Sequence, residues 1–244
     1  TAFQDIVALP VDNSVDRKVW DLAQMALGRI SMEFGQYEKA TEYYGAIMAE
    51  SDFLADKLYE LVWALIKQNQ DLREKRLDKD VERPDDEIEK MKVREQELVH
   101  EALRRVEIFL LAFPEHKYTA QLKLVRGHLH LQASEYEQAL SSYEEVIRSY
   151  APVKEQFGTL ARSENAPGEY FERILRMSDA TSDNPDKLPA YALAMVMADR
   201  DLGRAITVYR DLGAQREMLE QSEQLIQELE EVFGDTNGIG GFER

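Results

Sequence analysis

Residues 28–44 read GRISMEFGQYEKATEYY, and residues 127–143 read GHLHLQASEYEQALSSY. Laid over each other, Gly28, Tyr37, Ala40 and Tyr44 coincide with Gly127, Tyr136, Ala139 and Tyr143. A glycine followed at fixed offsets by an aromatic, a small residue and a second aromatic describes two helices that approach closely across a short turn. In the first copy Gly35 supplies the turn, because glycine adopts backbone conformations that a β-carbon disfavours. Such a hairpin cannot bury its apolar face alone and must stack on further copies. The reading is an all-α chain built as a helical-hairpin solenoid.

The flanks extend both copies. Asp12, Asn13 and Ser14 offer helix caps after Pro10, and from Val15 the apolar residues Val19, Leu22, Ala23, Ala26, Leu27 and Ile30 recur every three or four positions. This predicts a first helix running to about Phe34 and a second from Tyr37 to about Glu50, with Ala40, Tyr44 and Ile47 on one stripe. The later copy predicts helices over Tyr118 to Gln132 and Tyr136 to Tyr150.

The pattern resembles the tetratricopeptide repeat, a unit of about 34 residues. With Gly28 at the eighth position of that repeat, Gly35, Tyr37, Ala40 and Tyr44 fall at its turn, aromatic, small and aromatic positions. The resemblance implies a right-handed solenoid that binds protein or peptide partners and performs no catalysis. It also implies that the first helix of each hairpin lines a concave face. On that face it places Leu22, Met25, Arg29 and Met32 from the first repeat, Tyr59, Trp63 and Ile66 from a second, and Leu124, His128 and Leu131 from a third. Family members that capture acidic carboxy termini use concave Lys, Arg and Asn residues; Met25, Tyr59 and Leu124 stand at the analogous positions here. The implied ligand is therefore an extended or helical peptide with apolar anchors, or the protein's own carboxy-terminal helix, and Tyr59 and Trp63 are the expected contacts.

The second repeat is interrupted. Leu61, Val62 and Leu65 begin it on schedule, but its second half reappears only as Ala102, Val106, Phe109 and Pro114, about 28 residues later than the period predicts. The charge-dense stretch between Asn69 and Glu97 reads as two helical extensions projecting roughly 20 Å as a hairpin. Its turn is expected at about Arg83, with Pro84 at the first position of the returning helix and Asp85, Asp86 and Glu87 favouring the positive end of the helix dipole. A thin seam of Leu72, Leu77, Val81, Ile88, Met91 and Leu98 is expected to join the arms.

After residue 150 the register fades. Gly168, Tyr170 and Pro185 hold repeat positions, yet Arg173 stands where a small residue belongs, so 151–189 reads as a degenerate repeat and loop. From Ala190 helix returns, and Leu212, Leu219, Ile226 and Phe233 recur every seven residues as one apolar seam. That seam is a second candidate interface, either capping the solenoid or joining a partner helix. The expected division is an amino-terminal extension over 1–14, repeats over 15–150 with the projecting hairpin at 69–97, the degenerate segment over 151–189, capping or coiled-coil helices over 190–234, and a flexible tail over 235–244.

Composition bounds the remaining functions. With 47 acidic against 30 basic residues the net charge is −17, which disfavours binding to nucleic acid or to an anionic bilayer. There is no cysteine, so disulfides and thiolate chemistry are excluded. No apolar run reaches the ~18 residues that span a bilayer, and the start at Thr1 is compatible with a removed leader or lipid anchor. His128 and His130 are two residues apart and diverge on a helix, so no metal site is expected, and no cofactor motif is present. Phe109, Phe113 and Pro114 leading into Tyr118 and Gly127, with Tyr143, Ile147 and Tyr150 closing the hairpin, are similar to repeats of bacterial cell-envelope proteins. Those include outer-membrane assembly lipoproteins and periplasmic coordinators of envelope or gliding machinery. The likeness implies a periplasmic or outer-membrane-associated scaffold; a cytosolic regulator or chaperone with a single client stays open beside it.

Overall fold

A computed structural model describes residues 2–11, 13–162, 176 and 189–236. Among them the chain is all-α, with helices α1 (Ala2–Val7), α2 (Ser14–Glu33), α3 (Tyr37–Ala46), α4 (Leu54–Leu77), α5 (Asp85–Ala112), α6 (Thr119–Gln132), α7 (Tyr136–Arg162), α8 (Ala190–Ala198) and α9 (Arg200–Thr236). It divides into two compact units, Thr1–Lys154 and Glu155–Arg244.

In the first unit each helix from α1 to α5 packs on the next in chain order. The side chain of Asn13 starts α2 by accepting from the backbone N–H groups of Val15 and Asp16 at 2.9 and 3.0 Å. The α2–α3 turn is closed by Gly35 at φ 67°, with the Gln36 N–H donating to the Ser31 carbonyl at 2.8 Å. The α6–α7 turn repeats this geometry with Ser134 at φ 62° and the Glu135 N–H donating to the His130 carbonyl at 2.8 Å. Both repeat glycines are close-approach positions: a β-carbon on Gly28 would lie 2.3 Å from Cε1 of Tyr44, and one on Gly127 would lie 2.7 Å from Cε1 of Tyr143.

The core runs through the hairpins from Met25, Ala40, Tyr44 and Ile47 to Leu61, Val62 and Leu65, then Ala102, Val106, Phe109, Leu122 and Leu129. Ala102, Val106 and Phe109 thus bury the face expected of the displaced half-repeat. Two boundaries differ from expectation. α3 ends at Ala46, because Ile47 turns to extended backbone and buries its side chain, while its carbonyl accepts from Lys57 Nζ. α7 continues past Tyr150 to Arg162 and carries Pro152 inside it.

Buried positions on α4 stop at Asn69 and resume on α5 at Leu98, so the intervening arms stand outside the core. The arms are joined differently from the apolar seam expected. Leu72 and Leu98 pack at the base and Ile88 and Met91 are half-buried, but Leu77 and Val81 are exposed. Polar contacts take over there: Asn69 Nδ2 donates to the Glu95 carbonyl at 2.8 Å, and Arg76 grips both Glu95 carboxylate oxygens at 2.5 and 3.0 Å. α4 ends at Leu77, and Pro84 caps α5 one residue before its first helical position.

In the second unit α8 and α9 form a short hairpin in which Ala192, Val196 and Ile206 are buried. Asp199 breaks the helix, its side chain accepting from the Asp201 N–H at 3.2 Å, and Gly203 meets the Met197 carbonyl so closely that a β-carbon would lie 2.7 Å from the oxygen. The degenerate-repeat positions Gly168, Tyr170, Arg173 and Pro185 lie outside the described residues, as does 237–244.

Candidate functional site

The first helices of the three hairpins, α2, α4 and α6, are stitched side by side. Arg29 on α2 makes a two-pronged ion pair with Glu60 on α4, and Tyr59 on α4 donates its hydroxyl to Gln121 Oε1 on α6 at 2.9 Å. The hydrogen bond with Glu60 is the main cause raising the pKa of Arg29. Tyr44, buried beneath, has its phenol pushed well above its ordinary value by burial and by the facing Glu60 carboxylate. The residues expected on one face differ in accessibility along the row.

Met25, Tyr59 and Leu124 are register-equivalent. Met25 is only 2% exposed and belongs to the core; as a contact residue it is corrected, since its side chain is taken up by core packing. Tyr59 is stacked on Tyr118 with ring centroids 3.8 Å apart and planes at 10°, so the third hairpin covers it in turn. Leu124 has no successor within its unit and is 42% exposed. Met32, Ile66 and Leu131 repeat the gradient: Met32 and Ile66 pack against the core, whereas Leu131 is 44% exposed.

Trp63 is also corrected as a free anchor. It is half-buried and packs against the core, edge-on to Tyr59 at 6.3 Å, with its indole nitrogen buried. The row's third polar position passes from Arg29 to His128. There Tyr143 and His128 Nδ1 share a hydrogen bond at 2.8 Å, replacing the contact Tyr44 makes with Glu60. Leu22 at the start of the row, at 48%, and Leu124, His128 and Leu131 on α6 are its exposed positions, and Leu140 on α7 is exposed as well.

One polar grouping was not legible in the sequence. His130 Nδ1 lies 2.6 Å from Glu135 Oε2, and His100 Nε2, thirty residues earlier on α5, lies 3.6 Å from Oε1 of the same carboxylate. The hydrogen bond with His130 is the main cause holding Glu135 below the usual carboxylate range. Nearby, burial pushes Glu145 up but Lys123 and Arg126 outweigh it and leave its pKa lowered. Only the fold brings α5 and α7 to α6, so no local motif announces either cluster. Among the described residues no group of three or more His, Asp or Glu is arranged to hold a metal ion, and no helix is long and apolar enough to cross a membrane.

In the second unit Leu212, Leu219 and Ile226 are all exposed along α9; Phe233 continues the seam in sequence, with its side chain outside the described residues. Comparison of the chain with protein-family models, with curated proteins and with solved structures finds no match.

Proposed function

We propose that the chain is a non-enzymatic protein–protein interaction scaffold of the tetratricopeptide type, a right-handed solenoid of helical hairpins whose open end seats a partner segment. The observation that carries this reading is the exposure gradient along one register. Met25 lies in the core at 2% exposed, Tyr59 is stacked on Tyr118, and Leu124 is 42% exposed. The occupant's chemistry follows from what fills the equivalent seat of the first hairpin. There α4 buries Leu58, Leu61 and Leu65 and turns Glu60 toward Arg29 and Tyr44. The partner is accordingly an amphipathic helix with apolar residues at i, i+3 and i+7 and a carboxylate facing His128. Placement in a bacterial envelope complex rests on the likeness of Phe109, Phe113, Pro114 and Tyr118 to envelope repeats.

The test is capture of native partners by wild type and by a Leu124→Glu, Leu131→Glu double variant of equal helicity. Both positions are exposed, so folding is expected to survive, while capture is expected to fall at least tenfold, the loss of about 1.4 kcal/mol or more from a hot-spot pair. Undiminished capture would move the binding surface elsewhere.

A further inference from the structure

From Arg210 to Glu230 every side chain of α9 is exposed, a stretch about 30 Å long at the rise of an α-helix. It is not uniformly polar: Leu212, Met218, Leu219, Leu225, Ile226 and Leu229 are each 48–65% exposed. In heptad terms Leu212, Leu219 and Ile226 occupy a positions, Gln215, Ser222 and Leu229 occupy d, Met218 and Leu225 occupy g, and Arg216, Glu223 and Glu230 occupy e. Apolar g residues widen the stripe to one side, and the polar d residues interrupt it.

Helix direction decides whether this stripe can pair with itself. In a parallel pair each a or d residue meets its own copy, so Gln215 and Ser222 form two wholly polar layers. The flanks then set g against e, which places Met218 against Glu223 and Leu225 against Glu230, burying apolar groups beside carboxylates. In an antiparallel pair a meets d instead. Leu212 then faces Leu229, Leu219 faces Ser222 and Ile226 faces Gln215, so each layer contains an apolar residue. One flank sets g against g, matching Met218 with Leu225 twice. The other sets e against e, matching Arg216 with Glu223 twice. Because Arg216 and Glu223 are one heptad apart, as are Met218 and Leu225, the two-fold axis generates both matches from one sequence, the self-complementarity that a symmetric dimer requires.

We infer that α9 is a homodimerisation helix that pairs with a second copy of this chain in antiparallel orientation, with Leu212 opposite Leu229 of the other copy. In the single chain Arg216 is tied to Glu220 at 3.4 Å, an exposed i,i+4 pair that pairing exchanges for Glu223 of the second copy at little cost. This inference is independent of the proposed partner seat on α6–α7, since dimerisation is read without any partner.

The full-length chain tests it by light scattering behind size exclusion at micromolar concentration. Wild type is expected to be a dimer, and Leu219→Glu with Ile226→Glu a monomer. Arg216→Glu and Glu223→Arg are each expected to raise the dimer dissociation constant about tenfold, and the double reversal to return it to within about threefold of wild type. In a parallel dimer the double reversal would set Asp211 against Glu at 216 and give no recovery. Orientation is read by disulfide trapping, for which the absence of native cysteine leaves a clean background. Leu212→Cys alone is expected to stay unlinked, and Leu212→Cys with Leu229→Cys to yield a covalent dimer. A monomeric wild type, a dimer that survives the two glutamates, or efficient trapping by Leu212→Cys alone each overturns the proposal.

Discussion

The ring of Tyr44 occupies the space a side chain on Gly28 would need: a β-carbon there would stand 2.3 Å from Cε1 and 2.6 Å from Cζ. The same relation, slightly looser, holds between Gly127 and Tyr143 at 2.7 Å. Tyr44 is fully buried between hairpins and cannot swing away, whereas Tyr143 is half-buried at the open end. Gly28→Ala therefore forces overpacking that exceeds the gain in helix propensity, and is expected to cost about 2 kcal/mol. Gly127→Ala, against a half-buried ring held by a hydrogen bond to His128, is expected to cost less, about 1 kcal/mol. Urea unfolding of the two variants checks the order; equal losses would mean that the two rings are equally confined.

Ser134 holds the left-handed conformation that Gly35 holds in the first hairpin, at φ 62° against 67°. A β-carbon in this region costs roughly 1 kcal/mol, and serine bears it where the earlier repeat avoids it. Ser134→Gly is expected to stabilise the fold by about 0.5 kcal/mol after the entropy of the freer unfolded chain is subtracted, and Gly35→Ala to destabilise it by about 1 kcal/mol. A shift of the urea midpoint in opposite directions is the readout. Destabilisation by Ser134→Gly would show that the serine side chain contributes more than its strain.

These two turns also mark what was legible in the sequence. Repetition of Gly28, Ala40 and Tyr44 at Gly127, Ala139 and Tyr143 identified both hairpins, because close approach is a local demand on residue size. The second turn lacks a glycine, so Ser134 was not singled out until the fold showed its left-handed conformation. Burial along the row of first helices was not legible at all. Met25, Tyr59 and Leu124 are equivalent in register and all apolar or aromatic, yet Met25 is core and Leu124 is exposed, a difference set by tertiary packing that residue type does not encode. The Arg76–Glu95 clasp was hidden for a similar reason: in a stretch this rich in both charges, the sequence does not say which pair the two arms bring together.

Glu145 and Glu135 carry a pH dependence whose sign is fixed by their lowered pKa values. A carboxyl depressed on folding contributes stability above its unfolded value, near pH 4, and loses that contribution as pH falls through the lower folded value. Unfolding free energy is therefore expected to decline below about pH 4 as Lys123, Arg126 and His130 lose their acidic partners. Glu145→Gln is expected to cost roughly 0.5–1 kcal/mol at pH 7, the discounted worth of a partly exposed pair, and to flatten the acid limb. Urea titrations from pH 7 to pH 2.5 check this, and an unchanged slope would place the acid sensitivity at other carboxylates.

The projecting hairpin separates into a clasped base and a more loosely packed tip. Arg76, Glu95 and Asn69 interlock the arms, and beyond them Leu77 and Val81 are exposed while Ile88 and Met91 are half-buried. Replacing 79–91 with a short Gly-containing turn removes only that tip and is expected to change unfolding free energy by less than about 1 kcal/mol. Replacing 71–96 also removes Leu72 from the edge of the core, strips Asn69 of its acceptor and deletes the Arg76–Glu95 pair, and is expected to cost at least about 2 kcal/mol. Thermal and urea melts of the two deletions distinguish the levels. If the longer deletion is as stable as the shorter, the clasp merely accompanies the packing beneath it; if the shorter is already destabilised, the tip is held by contacts beyond the clasp.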